Sequence, residues 1–122
     1  MTAYNSIIIR SRCPSCGKQS EIKCQTHIAS SFDGDESGRF CNRIYHIGEK
    51  LAWWSKGSKK YDEWRIKGKK DFDNSTIDFE CCYASCLSCN AQLYVILEFK
   101  DATPTKVVGV GVELDWPQEY LK

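Results

Sequence analysis

The sequence contains no apolar run that approaches the roughly 18 residues of a membrane-spanning helix, so no membrane partner is expected. It has only three prolines and no Pro-, Gly- or Ser-rich linker. Nothing therefore marks a boundary, and 122 residues read as one domain, 1–122. Charge of one sign is also missing: 17 Lys and Arg meet 16 Asp and Glu, for a net +1. That balance excludes a polycation that coats nucleic acid. With 42% hydrophobic and 12% aromatic residues it also excludes a disordered chain. The opening MTAYNSIIIRSR has neither the apolar core nor the small-residue cleavage site of a signal peptide, so a reducing, cytoplasmic setting is expected. No G-x-S-x-G, P-loop or H-E-x-x-H motif occurs, and the chain reads as a non-enzyme.

Cysteine is plentiful. Eight occur, just under the roughly 8–10% that marks a disulfide scaffold. In a reducing compartment thiols bind metal more often than they pair. The remaining pattern is mainly β, with α+β as the alternative. Residues 4–10 are β-branched. Residues 19–27 alternate, with Ile22, Cys24 and Thr26 on one side and Glu21, Lys23, Gln25 and His27 on the other. Residues 30–39 are polar and Gly-rich and read as a loop. Strands are expected in 40–54, in YDEWRIK after the turn SKGSKK, in 76–83, in 91–100 and in 105–114. In 76–83 the residues Ile77, Phe79, Cys81 and Tyr83 share one face. No helix of ten residues or more is expected. Pro117 suits the start of a single turn over 116–121.

Two C-x2-C pairs, Cys13/Cys16 and Cys86/Cys89, carry the clearest chemistry. Thiolates two residues apart on a tight turn can share one ion, and four complete a tetrahedral zinc shell. Gly17 and Asn90 follow the two pairs, and Gly17 can take the positive φ that curls the backbone around sulfur. Two such knuckles between strands resemble the zinc-ribbon superfamily. The resemblance covers two short patches and implies an antiparallel ribbon around a structural Zn2+ held by Cys13, Cys16, Cys86 and Cys89. Between Cys16 and Cys86 lie 69 residues, whereas compact sites carry about 15–20. The segment 28–75 is then a β-rich insertion between the two halves. Four thiolates leave no open position for a substrate, so the site reads as structural. They accept iron as well as zinc.

The other cysteines lack such spacing. Cys24-x2-His27 with Cys41-x4-His46 would make a second site, but Cys24 and His27 face opposite sides of a strand. Cys24, Cys41, Cys81 and Cys82 are read as core thiols; Cys82 in place of Cys86 would make a less regular C-x3-C knuckle. Residues Asp33, Asp35, Ser37 and Gly38 match the opening of a calcium loop, yet position twelve is Ile44 and a polar turn is favoured. His27 and His46, with Asp33, Asp35, Glu36 and Arg39 near in sequence, could serve a small hydrolase or nuclease.

Charge is unevenly placed. Residues 50–70 hold eight basic and two acidic side chains, and 71–80 hold four acidic ones. Trp53, Trp54, Tyr61 and Trp64 sit within the basic stretch. Basic and aromatic groups together could contact single-stranded nucleic acid, in a ribbon using a hairpin at 50–70. Alternatively the tryptophans pack inward. Trp and Arg are also favoured at protein interfaces, so Trp53, Trp54, Lys59, Lys60, Trp64, Lys69 and Lys70 are the expected partner-binding residues. A small binding protein, such as an adaptor, regulator or immunity-type inhibitor with a protein partner, is the leading expectation.

Overall fold

The computed structural model describes residues 3–66 and 77–120. Two β-hairpins lie side by side at its centre. The first joins β1 (Asn5–Arg12) to β2 (Gln19–Thr26), and the second joins β6 (Ile77–Cys86) to β7 (Gln92–Lys100). β2 pairs antiparallel with β6, setting Ile22 opposite Cys86 and Cys24 opposite Ala84. β8 (Thr103–Val112) extends the sheet beyond β7. On the far side the short β5 (Ile44–His46) pairs with β1. The six strands run β5-β1-β2-β6-β7-β8. The β5–β1 pair is parallel, so the sheet is mixed rather than wholly antiparallel.

Alternation along each strand sends one set of side chains to the core. β1 contributes Ile7 and Ile9, β2 Ile22 and Cys24, and β7 Leu93, Val95, Leu97 and Phe99, all buried. In β6 the expected face is reversed. Cys82, Ala84 and Cys86 go to the core, while Ile77, Phe79 and Tyr83 remain half exposed on the opposite face. The small residues fit beneath the large side chains of β7. Cys81 is accordingly only half buried, and Cys82 takes the core place assigned to it.

The insertion covers the core. Residues 30–39, expected as a loop, form most of a small second sheet, β3 (Ser31–Asp35) with β4 (Gly38–Phe40). Its turn is closed by Asp35, whose carboxylate accepts from the Ser37 N–H at 2.8 Å. In YDEWRIK the described residues 61–66 are helical rather than extended: α1 spans Lys59–Ile66. The Ser58 hydroxyl accepts from the Tyr61 N–H at 3.2 Å and caps the first turn. Tyr61 and Trp64 are three residues apart, so a helix buries both on one face, whereas a strand would split them. Residues 47–58, of which 47–54 are expected as strand, are irregular apart from turns at 47–48 and 56–57. The segment Gln118–Tyr120 makes the single 3-10 turn expected after Pro117.

Polar clamps fasten the insertion to the sheet. Fully buried Asn5 donates to the carbonyls of Ala29 (3.1 Å) and Phe40 (3.4 Å) and accepts from the Arg43 N–H (3.0 Å). The Leu51 N–H reaches the Ala102 carbonyl, and the Gly48 N–H reaches that of Pro104, each at 2.8 Å. Among the described residues no helix is long and apolar enough to cross a membrane.

Candidate metal centre

The antiparallel β2–β6 pairing decides where the knuckles go. The turn after β1 and the turn after β6 fall at the same end of the sheet and face each other. The two turns are built alike. The Cys13 N–H donates to the Lys18 carbonyl at 2.9 Å, and the Cys86 N–H to that of Ala91 at 3.1 Å. The Gly17 N–H returns to the Cys13 carbonyl, and the Asn90 N–H to that of Cys86, both at 2.8 Å. Each returning residue has a left-handed backbone, with φ +74° at Gly17 and +60° at Asn90. Glycine adopts it freely, and asparagine is the next best residue for it. A bond from the Leu87 N–H to the Glu21 carbonyl, 3.0 Å, ties the second knuckle to β2.

The four sulfurs of Cys13, Cys16, Cys86 and Cys89 lie within 4.8 Å of one another and could hold a metal ion. A tetrahedron with metal–sulfur bonds of about 2.3 Å has edges of about 3.8 Å. Cys13 Sγ and Cys89 Sγ are 3.8 Å apart. Cys13 and Cys86 are fully buried, Cys16 is half buried and Cys89 is exposed, so the site sits at a rim rather than in a cleft.

Backbone N–H groups point at the sulfurs. Cys13 Sγ accepts from Ser15 N–H at 3.3 Å and Cys16 N–H at 3.4 Å. The Cys89 and Ser88 N–H groups do the same for Cys86, and the Cys89 N–H is the main cause that draws its thiol down to about 6. The Lys18 N–H chiefly lowers Cys16. Such donors favour the thiolate, the form that binds metal. Ser20 was not a candidate from the sequence. It is buried between the knuckles, and its hydroxyl lowers both Cys16 and Cys86. A serine at the start of an alternating strand carries no signal of that role.

The other candidates disperse. Among the described residues no other group of three His, Cys, Asp or Glu side chains is close enough to share an ion. Cys24, His27, Cys41 and His46 are therefore not brought together, and the Asp33–Gly38 turn gathers no metal-binding group. His27 Nδ1 lies 3.0 Å from the Ala3 carbonyl, and His46 Nδ1 lies 2.9 Å from Glu49. Cys24 is buried, and desolvation followed by the charge of Glu80 pushes its thiol up to about 12. It is an inert core thiol.

The tryptophans of the insertion face one another. Trp53 and Trp54 have ring centroids 4.7 Å apart, Trp53 and Trp64 5.4 Å, and buried Phe40 packs on both Trp53 and Trp54. Trp64 is buried, Trp53 and Trp54 are half buried, and Lys59 and Lys60 stand exposed on the first turn of α1. A cleft of about 540 Å³ opens beside them, with Lys50, Lys56 and Asp101 at its edge. Lys69 and Lys70 lie outside the described residues.

Comparison with known proteins finds no matching family model, no similar curated protein and no similar solved structure. The chemistry of the site thus rests on its own geometry.

Proposed function

We propose that this is a small non-enzymatic binding protein whose β-sheet is held by a structural zinc ion on Cys13, Cys16, Cys86 and Cys89. The observation that carries the reading is the convergence of four sulfurs within 4.8 Å, with Cys13 and Cys89 at the 3.8 Å separation that suits an edge of a tetrahedral tetrathiolate. Closed four-sulfur shells stabilise folds, and they leave no coordination position for substrate water. Two duplicated turns that aim N–H groups at sulfur suit permanent thiolates better than core thiols.

A protein is the proposed partner, in an adaptor, regulator or inhibitor role. The outer face of the sheet supports this, because Phe79, Tyr83 and Val108 are each about half exposed there (50%, 54% and 51%). Apolar groups gathered on one face mark an interaction surface. The inward packing of Trp53, Trp54 and Trp64 leaves their rings engaged with each other, which favours a protein over stacked bases as the ligand.

Native mass spectrometry and elemental analysis test the metal. One zinc per chain is expected, and a folded, metal-free protein refutes the reading. Iron in the site would show as visible absorption. Co-purification from the native cell tests the partner: a discrete, salt-tolerant protein complex is expected, and nuclease-sensitive, salt-labile association would instead indicate nucleic acid.

A further inference from the structure

A groove of about 540 Å³ runs along the outer face of the sheet, between β6 and the C-terminal segment 113–120. The metal centre plays no part in it. Tyr83 and Trp116 form an aromatic wall, with ring centroids 4.7 Å apart. The wall is fixed in place. Trp116 also packs edge-on against Tyr94 at 6.2 Å, and its backbone N–H bonds the Glu113 carbonyl at 3.1 Å. Tyr94 in turn lies across Gly111, where an added Cβ would meet its ring at 2.3 Å.

Glu80, Glu113 and Glu119 line the groove with the neutral Gln25, and among the described residues no lysine or arginine does. His27 lines it as well, with its Nδ1 3.0 Å from the Ala3 carbonyl. The three carboxylates do not converge as metal ligands would, since no metal-type group includes them. An aromatic wall beside carboxylates instead matches a flat organic cation. A guanidinium can stack its face on the rings and donate its edge N–H groups to the carboxylates.

One observation says where that cation comes from. Phe79 and Tyr83 are half exposed at the groove and would be covered by a protein surface. We propose that the groove receives an arginine side chain of a partner protein, its guanidinium against Tyr83 and Trp116 and hydrogen-bonded to Glu113 and Glu119. This rests on the protein-binding reading above and names the partner's chemistry.

The test is a titration of the metal-loaded, 15N-labelled protein with N-acetyl-arginine N-methylamide. The Trp116 indole N–H, assigned by its loss in Trp116→Phe, is the reporter. A saturating shift is expected, with Kd on the order of 1 mM for a ligand of this size. The neutral isostere N-acetyl-citrulline N-methylamide should bind at least about tenfold more weakly, because it lacks the charge that strengthens the hydrogen bonds. The lysine analogue should be weaker too, having no planar face. Free arginine has the same net charge but replaces the flanking peptide groups by a solvated ammonium and carboxylate, so it should bind no better than the blocked form. The Glu113→Gln/Glu119→Gln variant should weaken the blocked arginine by about tenfold or more. Equal binding of citrulline and arginine, or no saturation, overturns the proposal. Tighter binding of free arginine also overturns it, in favour of a free metabolite. Metal content measured on the same sample separates the outcomes: a zinc-loaded protein that ignores arginine defeats the groove alone, whereas a folded protein without zinc defeats the metal reading. The citrulline comparison needs no variant and holds even if the double substitution disturbs folding.

Discussion

Removing the metal should unfold this domain rather than loosen two hairpin tips. The four sulfurs bridge Cys16 and Cys86, with 69 residues between them. Closing a loop of that length restricts the unfolded chain by about 4 kcal/mol in the chain-entropy relation. Binding as a whole contributes more, roughly 10–16 kcal/mol for a structural zinc near neutral pH. A domain of this size retains on the order of 5–15 kcal/mol of net stability. The metal term is therefore comparable to all of it. Among the described residues the backbone tie between the tips is the Leu87–Glu21 bond, the Ser20 hydroxyl adds to it, and β2–β6 pairing ends at Ile22 and Cys86. A chelator titration at pH 7.5, followed by far-ultraviolet circular dichroism with native mass spectrometry alongside, should show loss of β signal in step with loss of metal. Cys13→Ser and Cys86→Ser should do the same without chelator. Cys24→Ser should be milder, leaving metal bound and losing about 1–3 kcal/mol for a buried, unpaired hydroxyl. A metal-free chain that melts cooperatively within about 5 °C of the metal-bound protein would mean a loss near 1 kcal/mol, and the argument would fail.

Other substitutions probe the neighbouring structure. Asn90→Ala should destabilise by about 1–2 kcal/mol in chemical denaturation, because φ is +60° there, while Asn90→Gly should be tolerated. Leu93→Ala, in the fully buried row of β7, should lose about 2–5 kcal/mol by the same measurement. Gly111→Ala forces the Tyr94 ring aside, so it should lose about 1–3 kcal/mol and alter Trp116 fluorescence; Tyr94→Ala in the same chain should relieve the clash. Stability should fall as pH rises from 9 toward 12. Burial holds the Cys24 thiol up to about 12 and keeps Cys82 well above its ordinary 9.0, so the unfolded chain releases their protons first. Cys24→Ala should flatten that slope in a pH series of denaturation midpoints.

Some of the molecule could be read before folding. The alternation of β2 predicts its buried face, because one side of an antiparallel strand meets the core. In β6 the same rule finds the period but not the parity. Ile77, Phe79 and Tyr83 look like the core face by hydropathy, yet β7 already fills that space with Leu93, Val95, Leu97 and Phe99. The smaller Cys82, Ala84 and Cys86 fit there, and the larger set is turned outward toward Trp116. α1 was hidden for a related reason. YDEWRIK has mixed local preference, and the Ser58 cap with one-sided burial of Tyr61 and Trp64 tips residues 61–66 to helix.

The cysteine spacing picked out the four candidate ligands, since a C-x2-C turn can present two sulfurs to one ion. Tertiary structure alone decided that the turns meet. The antiparallel pairing of β2 with β6 brings Cys13 beside Cys89 across most of the chain. It also decided the outer groove, because only the inverted face of β6 and the return of residues 113–120 place Tyr83 against Trp116. Contacts over such sequence distances follow from strand order and register, which no local pattern encodes.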